Sequence, residues 1–232
     1  MHSIDQSRRQ ALVKLVASSV VLSTGSAWAR SIPTCILTPE QTEGPYFLDN
    51  KLERSDIRSD PYTGRNSAGV PLYLQLQVTA VKNGQCQALP GAIVDIWHCD
   101  AIGVYSGVGE GGSEKAQQRF LRGYQITGQT GKANFVTIYP GWYPGRAVHI
   151  HFKVRTPTRS GKADLLTSQL YFDEAVTQEV YQQQPYAQHA TNFDRNEQDG
   201  IYRSGQGRQL LLKPEKDRRG YIALFNIGLN LS

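Results

Sequence analysis

From Leu72 to Ala80 the apolar residues Leu72, Leu74, Leu76, Val78 and Ala80 alternate with Tyr73, Gln75, Gln77 and Thr79. A period of two places one set on a buried face and the other opposite it, the pattern of a half-buried strand. Asn83-Gly84 follows as a turn signal. Ile93 to Cys99, Phe120 to Thr127, Ala133 to Ile138, Val148 to Val154, Thr167 to Phe172 and Tyr221 to Phe225 are further short β-rich runs punctuated by Gly and Pro. Asp173 to Gln184 reads as a helix, with Asp173 as N-cap, Val176 and Val180 one turn apart and Pro185 as the stop. Many short strands between turn signals predict an all-β fold: a β-sandwich of mainly antiparallel strands with long loops and one short helix. The sandwich core is assigned to residues 72–232. Residues 30–71, irregular and carrying several prolines, read as an arm laid over it.

The N-terminus has a different pattern. Arg8-Arg9 precede an apolar run from Leu15 to Leu22, and Ala27-Trp28-Ala29 resembles a small-residue cleavage site. Residues 1–29 therefore read as an export signal, which places the mature protein in the periplasm or outside the cell. Ser7-Arg8-Arg9-Gln10-Ala11-Leu12 resembles the twin-arginine signal, with Ala11 where that signal prefers a bulky residue; the ordinary secretory route is the alternative. The run is too short for a membrane span, which needs about 20 apolar residues.

Composition narrows the class. The chain has 232 residues, 39% hydrophobic and 19% charged, as in a globular domain rather than a disordered one. Of the net charge of +5, the first 29 residues carry +2, and no block of basic residues argues for nucleic acid as a partner. Three cysteines allow at most one intramolecular disulfide. Cys35 with Cys86 is the preferred pair, because Cys99 sits in a strand-like run and reads as a small buried hydrophobe. None has the spacing of a C-x-x-C metal site.

The chemical signal lies in Val148-His149-Ile150-His151-Phe152-Lys153-Val154. The histidines at i and i+2 share one strand face while Val148, Ile150, Phe152 and Val154 take the other. Imidazoles about 7 Å apart along a strand can converge on one metal ion, and imidazole suits iron, zinc and copper. Two incidental, solvated histidines are the competing reading. The preceding loop, Tyr139-Pro140-Gly141-Trp142-Tyr143-Pro144-Gly145-Arg146, brings aromatic and basic side chains to the same end. A phenol such as Tyr143 loses its proton readily near a trivalent cation and becomes a hard anionic ligand. Tyr105, in the Gly-flanked loop Ala101 to Gly107, is a second such phenol. The chain has twelve tyrosines, so packing competes with ligation for each.

Taken together, these segments resemble the intradiol ring-cleavage dioxygenases. The resemblance rests on Gly91 to Asp100 (Gly-Ala-Ile-Val-Asp-Ile-Trp-His-Cys-Asp), Gly103-Val104-Tyr105-Ser106-Gly107 and Phe120-Leu121-Arg122-Gly123-Tyr124-Gln125. It extends through Pro140-Gly141-Trp142-Tyr143 and Arg146-Ala147-Val148-His149-Ile150-His151-Phe152. Thr42-Glu43-Gly44-Pro45-Tyr46-Phe47 and Ser168-Gln169-Leu170-Tyr171-Phe172 complete the order, from about residue 38 to about residue 205. The resemblance implies one ferric ion per chain and no organic cofactor. Tyr105 and His149 match the equatorial ligands, Tyr143 and His151 the axial pair. Arg146 matches the arginine lying over the substrate ring, and Gln169 a glutamine that helps to position it.

The implied reaction takes a catechol-type substrate and O2, cleaves the ring between the two hydroxyl-bearing carbons and gives a cis,cis-muconate-type diacid. Tyr143 would accept a substrate proton and Arg146 would stabilise charge on the ring. Tyr139, Tyr124 and Trp142 read as packing residues, Trp97 as core or pocket wall, His98 as structural and His189 as surface, while Tyr46 is a pocket-lining candidate. Two departures from better-known members stand out. Only Pro144 to Val148 separate Tyr143 from His149, which implies a more open rim. No helical pattern matches the N-terminal dimerisation domain of catechol-type members, which leaves self-association open. Two rival classes remain: a zinc-dependent hydrolase or lyase using His149, His151 and a third histidine such as His98, and a secreted β-sandwich binding module.

Overall fold

The computed structural model describes residues 36–231 apart from 50, 83–84, 110–112, 159–160 and 190–192. The expected export signal, Cys35 and the Asn83-Gly84 turn lie outside the described residues. Strands β1 (Pro71–Lys82), β2 (Gln85–Ala88), β5 (Lys132–Ile138), β9 (Glu215–Asp217) and β10 (Gly220–Asn230) form one sheet. Its order is β2-β1-β10-β9, with β5 pairing the first half of β1 and β2 the second half. Strands β3 (Ile93–Trp97), β4 (Arg122–Ile126), β6 (His149–Thr158), β7 (Gly161–Phe172) and β8 (Leu211–Leu212) form the other, in the order β4-β3-β6-β7-β8. Pairing is antiparallel except between β1 and β10 and between β7 and β8.

The alternation read from the sequence sets the core. Leu72, Leu74, Leu76 and Val78 of β1 bury against Val94 and Ile96 of β3 and Ile150, Phe152 and Val154 of β6, in one apolar cluster between the sheets. Each such side chain contributes on the order of 1.5–3 kcal/mol relative to exposure. A one-residue slip of β6 would turn Ile150, Phe152 and Val154 out of that core, so their burial also decides where the histidines point. The opposite face of β6 is polar and yet equally buried. His149, His151, Lys153 and Arg155 are exposed by 2%, 1%, 6% and 4%.

Short helices punctuate the loops. Helix α2 (Glu174–Val180) starts where the sequence places it, with the Asp173 carboxylate accepting from the amides of Ala175 and Val176 at 2.9 and 3.3 Å. It ends four residues before Gln184, because the chain turns to stack Tyr186 on Tyr181, with ring centroids 5.4 Å apart. Helices α1 (Glu114–Gln117) and α3 (Gly200–Ser204) accompany it, so the helix count exceeds the single one expected. At four and five residues neither is long enough to show a helical period.

The segment before β1 touches both sheets. Its Thr38 and Ile57 amides donate to Gly228 and Val136 of the first sheet, at 2.9 and 3.0 Å. Its Gln41 and Arg54 amides donate to Thr167 and Tyr124 of the second, at 2.9 and 3.0 Å. Of the cysteines, Cys99 is free and buried and Cys86 is disulfide-bonded.

His98, just after β3, ties the sheets together. Its ring is fully buried, with Nδ1 2.7 Å from the Cys99 carbonyl and Nε2 2.7 Å from Thr137 Oγ1 on β5. Burial lowers its pKa to about 4. An unfolded imidazole titrates near 6.5, so the unfolded state takes up the proton first as the pH falls. Thermal unfolding followed from pH 6.5 to pH 4 should therefore show stability declining, with a shallower decline in His98→Asn.

Two loops at one end of the sandwich meet backbone to backbone. The Gly141 amide donates to the Asp100 carbonyl at 3.0 Å. Gly103 has φ 86° and so little room that a Cβ would stand 2.2 Å from the Trp142 carbonyl oxygen. Gly64 has a similar φ of 70° but open space around it. Gly64→Ala should therefore cost only the roughly 1–2 kcal/mol of left-handed strain, and Gly103→Ala distinctly more, as measured by chemical denaturation. Equal losses would mean that the close approach of the loops contributes nothing.

Candidate metal centre

The two loops and β6 bring four donor atoms to one place. His149 Nε2 lies 3.1 Å from His151 Nε2, 3.3 Å from Tyr143 Oη and 3.4 Å from Tyr105 Oη. His149 Nδ1 stands 2.6 Å from the Ala147 carbonyl, which can only accept, so Nδ1 carries the hydrogen and Nε2 presents a lone pair. The His151 ring stacks on Trp97 with centroids 4.9 Å apart and planes 5° apart. Among the described residues its Nδ1 is buried with no hydrogen-bond partner, so that stack and the contact of Nε2 with His149 hold the ring. Tyr105 is buried and Tyr143 half-buried, so the cluster opens on the Tyr143 side. The Tyr46 ring lies 4.5 Å from Tyr105 and 6.5 Å from Tyr143, as a wall of that opening.

Burial dominates the electrostatics. It lowers the pKa of His149 to about 3, with Arg146 adding to the effect. It also drives His151 far below the usual imidazole range, with His149 the next cause. Both phenols are pushed up by burial, strongly for Tyr105, while Arg146 pulls Tyr143 back down. Every donor is thus held neutral with its polar atom facing the others, an arrangement that a cation would stabilise. Separations of 3.1–3.4 Å are those of ligands about 2 Å from a shared ion. Two imidazoles with two phenols, and no thiolate, suit ferric iron. The residues present therefore fit that ion. A zinc site drawing on His98 does not fit, since both nitrogens of that ring are engaged elsewhere. Among the described residues no three His, Cys, Asp or Glu side chains gather.

Arg146 and Gln169 stand beside this cluster. Arg146 donates through Nη1 to Tyr143 Oη at 3.4 Å, through Nη2 to Gln169 Oε1, and through Nε to Asp199 Oδ2 at 2.9 Å. Gln169 lies across from His151 in the β6/β7 register, and its amide nitrogen donates to the Thr42 carbonyl at 2.9 Å. All the site residues singled out in the sequence therefore come together.

Two contributors were not legible there. Arg122 stands in the strand run Phe120 to Thr127 with no local sign of a role, yet it is 1% exposed. It donates to the Ser106 carbonyl and hydroxyl and to the Tyr46 carbonyl, and its guanidinium lies 5.8 Å from the Tyr105 ring centroid. Burial lowers its pKa to about 10. Asp199 caps a five-residue helix, which leaves no pattern to notice. Tyr139 packs as read, against Phe172, and its hydroxyl meets Thr177 Oγ1 at 2.7 Å. His189 is half-buried rather than on the surface, because Trp142 stacks on its ring at 5.0 Å and donates to its carbonyl.

Comparison with known proteins identifies relatives of this chain. A family model described as dioxygenase matches residues 42–198. The solved intradiol ring-cleavage dioxygenase from Tetranychus urticae is 32% identical, with 84% of this chain and 95% of that one covered and a TM-score of 0.72. The dioxygenase domain of a dioxygenase carbohydrate-binding protein fusion from Streptomyces sp. SirexAA-E is 27% identical, covering 85% of this chain and 100% of that one, with a TM-score of 0.58. Among curated proteins, the chlorocatechol 1,2-dioxygenase of Pseudomonas putida is 26% identical over 149 residues, 56% of this chain. That match spans about half, 52%, of the relative's length. A family match over most of the fold, and a solved relative that aligns along nearly its whole length, place this chain in the intradiol ring-cleavage dioxygenase family.

Proposed function

We propose that this protein cleaves a catechol-type ring between its two hydroxyl-bearing carbons, incorporating both atoms of O2 to give a cis,cis-muconate-type diacid. It would hold one ferric ion through Tyr105, Tyr143, His149 and His151. The observation that carries this reading is the convergence of the other three donor atoms within 3.1–3.4 Å of His149 Nε2. Held by these four residues, ferric iron would supply Lewis acidity toward the hydroxyl oxygens of a catechol.

The chain's own residues have separable tasks. Tyr105, buried against Tyr46 and beneath Arg122, is the phenol with least freedom to leave. Tyr143 is half-buried at the opening, and, as the phenolate it would become on holding ferric iron, it is the one placed to take a proton from an incoming catechol hydroxyl. Arg146 provides fixed positive charge where the ring becomes electron-rich, and it does so without reorganising, because Gln169 and Asp199 already hold it. The flanking Tyr46 and Tyr143 rings give a planar aromatic substrate an apolar wall.

Iron-loaded protein should show a visible phenolate-to-iron charge-transfer band and should lose both band and O2 uptake on iron removal. Protein still colourless after anaerobic loading with ferrous iron and reoxidation in air would overturn the reading. With catechol, protocatechuate and hydroxyquinol as a panel, O2 electrode traces and product identification should give one O2 consumed per ring-opened diacid. Tyr143→Phe should lower kcat on the order of 100-fold while iron content stays the same. Undiminished turnover would remove Tyr143 as the base.

A further inference from the structure

Arg146 has a solvent-facing side, and its side chain is 16% exposed, so packing alone does not aim its guanidinium. Three acceptors do. Gln169 and Tyr143 take the two terminal nitrogens, and Asp199 takes Nε. The Asp199 side chain is fully buried, and both its oxygens are committed. Oδ1 accepts from the Ile201 and Tyr202 amides at 2.7 and 3.3 Å, capping α3. Oδ2 accepts from Arg146 Nε at 2.9 Å and from the Ala147 amide at 3.0 Å. The Ala147 carbonyl in turn faces His149 Nδ1. One carboxylate thus joins α3 to the arginine and to Ala147, the residue whose carbonyl faces a histidine of the cluster.

We infer that Asp199 is a positioning residue for ring cleavage, acting through Arg146; this rests on the proposed function above. A guanidinium bound at Nε by a buried carboxylate keeps its plane, and that plane presents Nη1 toward the Tyr143 oxygen and Nη2 toward Gln169. Without the carboxylate, the arginine keeps its charge and loses its direction.

Substitution can separate capping from aiming. Ser and Asn are N-caps comparable to Asp, so Asp199→Ser and Asp199→Asn keep α3; Ser has no second oxygen for Arg146 Nε, and Asn with its oxygen on the cap turns a donor toward it. In iron-loaded protein, each should lower kcat about tenfold or more, with iron content and the visible band unchanged. In an Arg146→Ala background the same substitutions should change kcat less than about twofold, because residues acting as one unit are not additive. Equal losses in the two backgrounds, or none in the first, would overturn the inference. A crystal structure of iron-loaded Asp199→Ser gives a readout independent of turnover. Arg146 should leave Gln169, and a guanidinium found unmoved would overturn the inference too. Should the wild-type protein open no catechol ring at all, the proposed function fails, and the position of Arg146 in that crystal still decides whether Asp199 aims it.

Discussion

Strand β6 carries four polar side chains in succession on one face, and all four are buried. Burying imidazoles, an ammonium and a guanidinium is costly unless each finds partners, and beyond the contact between the His149 and His151 rings the strand does not supply them. They come from distant segments. Arg155 meets the Asp95 carboxylate at 2.7 and 2.8 Å, and Lys153 meets Glu43 with the Phe47 ring alongside. His149 meets the two tyrosine loops, and the His151 ring stacks on Trp97. The arm before β1 and the loops at the end of the sandwich are therefore what the buried polar face of β6 requires.

The same strand explains why the donors are so well placed. Its other face is locked into the core by Ile150, Phe152 and Val154, so the two histidines inherit the precision of apolar packing. Tyr105 and Tyr143 lie on loops, which are ordinarily less exact. Here the loops are in contact at Gly103 and Gly141, where no side chain would fit, and Arg122 ties the Tyr105 loop to the arm through carbonyls. Rigidity comes from close backbone approach and a buried cation.

The electrostatic character of the cluster follows from its burial. Imidazoles are held neutral and phenols protonated, with their polar atoms turned toward each other and away from water. Arg146 adds positive charge on one side, and Asp199 balances it from beneath the helix it caps. The half-buried Tyr143 is the point at which this otherwise closed arrangement meets an incoming molecule.

Local residue order determined much of this protein. Alternation along β1 and β6 settled strand identity, inward faces and the shared side of His149 and His151, because side-chain direction along a strand depends only on parity. Asp173 announced the start of α2 because capping is local. The ordered motifs from Thr42 to Phe172 carried the resemblance to the family. Tertiary structure alone decided the rest. Nothing near Arg122 in the sequence marks it as buried, since its partners are carbonyls some 16 and 76 residues away. Asp199 lies 53 residues from the arginine it holds. His98 reads as structural in the sequence, but that it ties the two sheets together rests on Thr137, which the fold places across the sandwich. Parity and capping act between neighbours in the chain, whereas the partners of a buried charge are chosen by whatever the fold brings within 3 Å of it.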